Sequence, residues 1–257
     1  MLVKLTDSVE AEIVYQEKLP WMLSWEMRAG YVIIGPYLNM DEHEQHYLKT
    51  IGSGDWHAPM GSEFRFDKDN LLLKSIWVKA LEENLESGSV IEEWTSQQPI
   101  EGILRLLSSQ DFYCEANDYR WMSPDGKLLA AITETNLVRS NNKIRLRVAK
   151  NFELLFAEQE WCGWLLHNPA QYLTEPNSQA KSDRKLALWA SEYLTLVSEP
   201  YIEQMEDEEA EILEKLLDLR NRIDLTSGAI EHRQVIKETV EDVIEHFYGS
   251  EVLLESS

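Results

Sequence analysis

The chain has 257 residues, of which 46 are acidic and 24 basic, so its formal net charge is -22. So negative a molecule repels nucleic-acid phosphates and anionic membranes, which excludes both as expected partners and favours a basic protein. Apolar residues make up 44% of the chain and aromatic residues 10%, which is enough for a folded core and argues against wholesale disorder.

The N-terminus and the cysteines bear on the cellular setting. The first residues include acids and lack the basic flank and long apolar run of a signal peptide. No stretch approaches the ~20 apolar residues of a membrane span, so we expect a soluble, cytoplasmic protein. Cys114 and Cys162 form no CxxC pair, so we expect two buried thiols and neither a zinc cage nor a disulfide framework.

Residues 1–175 are predicted to form a mixed α+β domain built mainly from antiparallel strands. Two hairpins are expected, at residues 63–79 and 119–133, because polar turn residues separate runs of alternating apolar residues. Their first strands read FRF and YRW, so Arg65 and Arg120 fall at matching places. An internal duplication, with two related sub-units divided near residue 95, is one explanation; the other is that any two hairpins share this pattern.

The remaining elements of this region follow from apolar spacing. Strands are predicted at residues 31–34, 144–149, 152–156 and 161–166. Ile100, Ile103, Leu104 and Leu107 recur at helical spacing, which predicts a helix over residues 99–108. The stretch 38–54 suits either a short helix or a loop.

Residues 176–257 are predicted to form a helical region. Apolar faces predict three helices, at residues 186–197, 200–223 and 230–247. The last two suit an antiparallel hairpin, which also allows a homodimer through these helices. Thr226 or Ser227 is expected to cap the third helix, Gly249 to end it, and residues 251–257 to form a loose tail.

Acidic side chains are the main candidates for binding a partner. Residues 201–257 carry 16 acids and 5 bases, while residues 101–149 carry 6 acids and 7 bases. The negative charge is therefore concentrated in part of the chain, including its C-terminal region. These acids exceed what solubility requires and add self-repulsion, which a basic partner would offset. The acids predicted to contact it are Asp41, Glu42, Glu44, Glu82, Glu83, Glu86, Glu92, Glu93, Glu206, Asp207, Glu208 and Glu209. Trp21 and Trp25 are expected beside them at a surface groove, as tryptophans often are in interfaces.

Two histidines are the strongest enzymatic candidates. His43 and His46 lie among carboxylates, with His57 downstream, and together they could bind a divalent metal. Their spacing of three differs from the spacing of four that a zinc-binding helix of the HExxH type requires, so a surface segment is favoured. The chain also lacks a GxSxG elbow and a phosphate-binding glycine loop, so we expect no enzyme and no cofactor.

Two segments of the chain carry a resemblance to a known family. The first is FRFDKDNLLLKSIWV at residues 64–78, and the second combines IRLRVA, LLF and GWLLHNP between residues 144 and 169 with Tyr172 and Leu173. Together they resemble small bacterial immunity proteins that accompany polymorphic toxins. The likeness covers about a third of the chain and consists of β-patterns, without a counterpart for the helical region. It implies a non-enzymatic protein that binds a cognate toxin domain and blocks it.

Three functional hypotheses follow. The first is an immunity protein that uses its acidic surface to neutralise a basic toxin domain, with electrostatic steering speeding the capture. The second is an acidic adaptor or secretion-chaperone-like protein. The third is a metal-dependent enzyme using His43 and His46.

Overall fold

Two β-sheets and a layer of helices make up the fold in the computed structural model, which describes residues 1–54, 61–133, 142–173, 183–226 and 228–255. The strands are β1 (Leu2–Thr6), β2 (Val9–Tyr15), β3 (Leu23–Glu26), β4 (Tyr31–Ile34), β5 (Thr50–Gly52), β6 (Glu63–Asp67), β7 (Leu73–Lys79), β8 (Ile100–Leu106), β9 (Tyr119–Met122), β10 (Leu128–Ile132), β11 (Lys143–Ala149), β12 (Phe152–Ala157) and β13 (Glu160–His167). The helices are α1 (Met40–Lys49), α2 (Ser89–Thr95), α3 (Arg184–Leu196), α4 (Glu199–Glu206), α5 (Ala210–Arg222), α6 (Ile230–Tyr248) and α7 (Glu251–Glu255), with a 3-10 turn at Pro169–Tyr172. The predicted α+β class with a helical C-terminal region is confirmed.

The larger sheet has the strand order β1-β2-β8-β11-β12-β13-β10-β9, and the smaller one has the order β3-β4-β7-β6-β5. Most neighbouring strands are antiparallel, while β8 with β11 and β1 with β13 pair in parallel. In the second of these pairs, the backbone N–H of Lys4 donates to the carbonyl oxygen of Gln159 at 2.7 Å. The pairing of β1 with β13 closes six strands of the larger sheet, β1, β2, β8, β11, β12 and β13, into a ring. The other two strands, β10 and β9, continue the sheet from β13.

Both predicted hairpins and the predicted strands of residues 1–175 are confirmed. The hairpins are β6–β7 and β9–β10, and they lie in different sheets. The first hairpin pairs next with β4, which precedes it in the chain, and the second with β13, which follows it. Internal duplication therefore stays a prediction, since the two hairpins share a local form but not a sheet topology.

The helix predicted over residues 99–108 is wrong, because this segment forms strand β8. It pairs with β2 on one side and β11 on the other, and Ile103, Leu104 and Leu106 are all buried. A strand covered on both faces loses its polar–apolar alternation, so its apolar spacing can match that of a helix. Gly102 fits this position because an added Cβ would lie 2.6 Å from the carbonyl oxygen of Val14. The ambiguous stretch 38–54 contains α1 followed by β5.

The helical region differs from its prediction in three places. The second predicted helix is interrupted between α4 and α5, where Glu208 has a left-handed backbone with φ of 54°. Helix α6 begins after Ala229 without a side-chain cap, and Thr226 instead bonds to Asp224; Ser227 lies outside the described residues. Part of the predicted tail forms α7. Gly249 ends α6 as predicted, with φ of 86°.

The predicted antiparallel hairpin is formed by α5 and α6. The hydroxyl of Tyr248, at the end of α6, donates to the carbonyl oxygen of Glu209, just before α5, at 3.0 Å. Midway along the pair, Arg220 Nε lies 2.7 Å from Glu241 Oε1. Apolar faces of both helices are buried in the core of the chain, and the predicted homodimer stays a prediction.

One apolar core joins the sheets to the helices. It contains Trp25 and Phe64 of the small sheet, Trp164 of the large sheet, and Trp189 and Leu216 of the helices. The predicted division near residue 175 therefore separates two regions of sequence that share a core among the described residues. None of the described helices combines the length and apolar composition needed to cross a bilayer.

Candidate functional site

Three buried arginines are bonded to the carboxyl-terminal ends of helices. Arg65 on β6 donates to carbonyl oxygens at the end of α1, Arg145 on β11 to those of α2, and Arg120 on β9 to those of α3. The last carbonyl groups of a helix lack partners within it and carry partial negative charge, which a guanidinium satisfies. These three cations are therefore used inside the fold.

The buried carboxylate of Glu153 forms ion pairs or hydrogen bonds with three basic side chains. Glu153 on β12 is 0% exposed, and its Oε2 lies 2.6 Å from Nη2 of Arg145. Its Oε1 lies 2.8 Å from Nη2 of Arg147 and 3.3 Å from Nε2 of His167. Burial alone would raise the pKa of Glu153, but the hydrogen bonds of His167 and Arg147 and the charge of Arg145 lower it to about 2.

The acids predicted to bind a partner are left without cationic neighbours. All are exposed. Among the described residues, Glu93 is the member of this set whose carboxylate lies within salt-bridge distance of a lysine or arginine, at 2.6 Å from Lys143 Nζ. The carboxylates of the others have no lysine or arginine of a described residue within salt-bridge distance, so we expect them to be available to an external cation.

The α1 patch consists of Asp41, Glu42 and Glu44. The side chain of Asn39 accepts a hydrogen bond from the backbone N–H of Glu42 at 2.9 Å, and Glu42 Oε2 accepts one from the backbone N–H of Leu38 at 2.8 Å. This reciprocal capping box fixes the start of the helix. It holds Asp41 and Glu44 outward on a helix whose one buried side chain is His43.

The 82–93 patch consists of Glu82, Glu83, Glu86, Glu92 and Glu93. The backbone N–H of Arg120 donates to the carbonyl oxygen of Glu83, and that of Leu85 donates to the carbonyl oxygen of Arg120, both at 2.8 Å. This segment thus covers the outer edge of β9. Helix α2 buries Ile91 and Trp94 against the large sheet and thereby turns Glu92 and Glu93 toward solvent.

The 206–209 patch consists of Glu206, Asp207, Glu208 and Glu209, and it occupies the interruption between α4 and α5. In a continuous helix Glu206 and Glu209 would be like charges three positions apart, which is unfavourable and agrees with the break at Glu208. The bond from Tyr248 to the carbonyl oxygen of Glu209 holds the patch beside the end of α6.

A cavity of about 330 Å³ lies between the β3–β4 turn, the end of β7 and helices α3, α4 and α6. Glu82 lines it, and so does Met205, which directly precedes the 206–209 patch. The cavity lining therefore combines one acid of the 82–93 patch with the residue that precedes the 206–209 patch in the chain. The α1 patch does not contribute to its lining.

The surface position predicted for Trp25 is wrong. Its side chain is 1% exposed, because β3 turns Leu23 and Trp25 to the same inward face. Trp21 is half-buried against the core, and its indole N–H donates to the carbonyl oxygen of Lys74 at 2.6 Å. Trp25 is thus a core residue, and Trp21 retains a partly accessible surface.

The two histidines bond to different partners. His43 is buried, with Nε2 2.9 Å from Glu63 Oε1, while His46 Nε2 lies 2.9 Å from Ser75 Oγ. In the part of the chain that the structure describes, no group of three or more His, Cys, Asp or Glu side chains is arranged to hold a metal. His57 lies outside that part. The geometry therefore gives no support to a metal site at His43 and His46.

His46 is expected to make stability depend on pH. Burial, followed by the charges of His43 and Arg65, lowers the pKa of His46 from 6.5 to about 4. Between these values the unfolded imidazole binds a proton that the folded one does not, so stability falls as the pH drops through this window. Urea unfolding at about pH 7 and about pH 5 should show a smaller loss for His46→Gln than for the wild type. Equal losses in both proteins would contradict this.

Both cysteines are buried free thiols, as predicted. Burial raises the pKa of Cys162 to about 12, so it is a poor nucleophile.

No family model, curated protein or solved structure matches this chain. The sequence patterns identified the acidic runs but did not indicate the cavity. They also did not indicate that Arg120 and Tyr193 line it. The matching places of Arg65 and Arg120 in the two hairpins were the available signal, since both arginines turned out to be bonded to helix ends.

Proposed function

We propose that this chain is an acidic binding protein that neutralises a basic toxin domain by covering its surface, in the manner of an immunity protein. The observation that carries the proposal is a difference between the basic and the acidic side chains. Buried arginines are bonded to helix ends and to Glu153, whereas every acid of the three patches except Glu93 lacks a cationic partner among the described residues.

The energetics favour a basic partner. Uncompensated acids repel one another in the folded chain, and a cationic surface placed against them relieves that repulsion. A toxin that acts on nucleic acid needs a cationic surface to hold phosphates, so an acidic inhibitor can occupy the same surface. Long-range attraction also accelerates capture, which matters when the target is lethal to the cell.

The 82–93 and 206–209 patches are the favoured contact region. Glu82 lines the cavity, and Met205 of the same lining directly precedes the 206–209 patch, so we expect a side chain of the partner to enter this recess. A recess surrounded by polar residues is the usual setting of an interface hot spot. The resemblance of residues 64–78 and 144–173 to immunity proteins supports the same function from the sequence.

Co-expression tests the proposal. The proposal predicts that a gene beside the one for this chain encodes a large secreted protein with a basic C-terminal domain, and that domain is the partner to use. Expression of that domain alone should arrest growth, and co-expression should restore growth and give a complex whose association slows as salt is added. Growth arrest that persists although this chain is stably produced would contradict the proposal.

A further inference from the structure

The wall of the cavity contains two polar atoms that bond to no described residue, Nη1 of Arg120 and the hydroxyl oxygen of Tyr193. Arg120 and Tyr193 both line it, and each is 3% exposed. The Arg120 Nε donates to Asn84 Oδ1 at 2.8 Å, and Nη2 donates to the carbonyl oxygens of Leu194 and Val197. Neither Nη1 of Arg120 nor the hydroxyl of Tyr193 forms a hydrogen bond with any described residue.

Arg65 shows what a fully satisfied arginine looks like in this protein. It occupies the matching place in the first hairpin, and all three of its nitrogens donate hydrogen bonds, Nη1 to the carbonyl oxygen of Ser53 at 3.3 Å. Arg120 therefore stands out for the side of its guanidinium that is left unbonded. In a largely desolvated setting a charged donor forms a stronger hydrogen bond with an anionic acceptor, so a ligand that supplies such an acceptor to Nη1 gains binding energy.

The surroundings select the kind of acceptor. No carboxylate of a described residue lies within salt-bridge distance of Arg120, and burial lowers its pKa to about 10 against the opposing charges of Tyr193 and Glu82. Asp242 is already paired with Arg28 at 2.6 Å, and Glu82 at the rim disfavours a dianion such as phosphate. A monoanionic carboxylate can accept one hydrogen bond from Arg120 and one from Tyr193.

The rest of the lining is mixed: Arg28, Lys79, Glu82, Asp242 and His246 contribute polar groups, and one part is apolar. Side chains that contribute to this part of the lining are Met27, Val197, Ile202, Met205, Val243 and Phe247. A volume of about 330 Å³ lies at the lower end of the range for small-molecule sites. We infer that this cavity is a binding site for a small carboxylic acid with an apolar body, whose carboxylate is held by Arg120 and Tyr193.

Calorimetric titration with three matched probes tests this site. The probes are 3-phenylpropionate, the corresponding alcohol 3-phenylpropanol and the corresponding amine 3-phenylpropylamine, which differ only in the polar end group. The acid should bind with one-to-one stoichiometry and about tenfold more tightly than the alcohol, and the amine should not bind. No binding of the acid, or equal binding of acid and amine, would overturn the inference.

Two variants locate the site. Tyr193→Phe removes a hydroxyl that bonds to no described residue, so it should leave the melting temperature unchanged and weaken binding of the acid about tenfold. Val243→Trp should fill the cavity and abolish binding.

Tyr201→Phe is the control variant, because Tyr201 is a half-buried tyrosine of α4 outside the lining of the cavity. The Tyr201→Phe protein should bind the acid as the wild type does. The titration contains no partner protein, so its outcome is independent of the proposed function. Wild-type affinity in both Tyr193→Phe and Val243→Trp would overturn the inference.

Discussion

Replacing Glu153 by leucine is expected to lower the free energy of unfolding by about 3–5 kcal/mol, as measured by urea unfolding. Glu153 is fully buried and holds Arg145, whose side chain is 5% exposed, at 2.6 Å. Leucine fills a similar volume but leaves the guanidinium of Arg145 buried without its carboxylate. An uncompensated buried charge is among the largest effects that a single substitution can produce.

An exposed ion pair provides the matched control. Glu160 lies 3.6 Å from Lys4, and both side chains are more than 40% exposed. Glu160→Gln should change the free energy of unfolding by less than about 1 kcal/mol, because solvent screens such a pair. A loss for Glu153→Leu no larger than that of this control would mean that Arg145 does not depend on the carboxylate.

Reversing the charge of the 206–209 patch is expected to slow association with the cognate basic domain. Lysine at Glu206, Asp207, Glu208 and Glu209 replaces attraction by repulsion and should lower the association rate about 10- to 100-fold at low ionic strength. The dependence of the rate on salt should weaken as well. Stopped-flow or surface-based kinetics at several salt concentrations measure both quantities.

A variant with equal net charge separates local contact from overall charge. Glu10, Glu17, Asp69 and Glu238 are exposed acids outside the three patches, and their reversal to lysine changes the net charge by the same amount. If the 206–209 patch meets the partner, this control should associate faster than the patch variant. Equal rates would show that overall charge alone matters, and an unchanged rate for the patch variant would move the interface to the α1 or 82–93 patch.

Buried charge and surface charge are connected in this protein. Arg65, Arg120 and Arg145 are used to satisfy the ends of α1, α3 and α2, so they are not available to neutralise exposed acids. The surface is acidic because the chain has more acids than bases and also because some of its bases are buried. Arg120 differs from the other two because part of its guanidinium remains unbonded at a cavity.

Local patterns were sufficient for the hairpins, the strands β11 to β13 and most of the helical region. Each of these elements is encoded by residues close together in the chain, such as the Asp67 turn, whose carboxylate accepts from the backbone N–H groups of Asp69 and Asn70. The spacing of apolar residues could not identify β8 as a strand, because β8 is covered on both faces and lacks the alternation of polar and apolar residues. The same limit applied to Trp25, whose burial depends on the element packed against β3.

The sequence by itself determined the net charge, the α+β class and the acidic runs, because composition and short-range periodicity do not depend on how distant segments meet. Only the tertiary structure decided which arginines bond within the fold, and that Glu82 lines one cavity with Met205, the residue before the 206–209 patch. It also decided that Arg120 and Tyr193 meet there. These features join residues more than 70 positions apart, and such pairings follow from the packing of the whole chain, which no local pattern records.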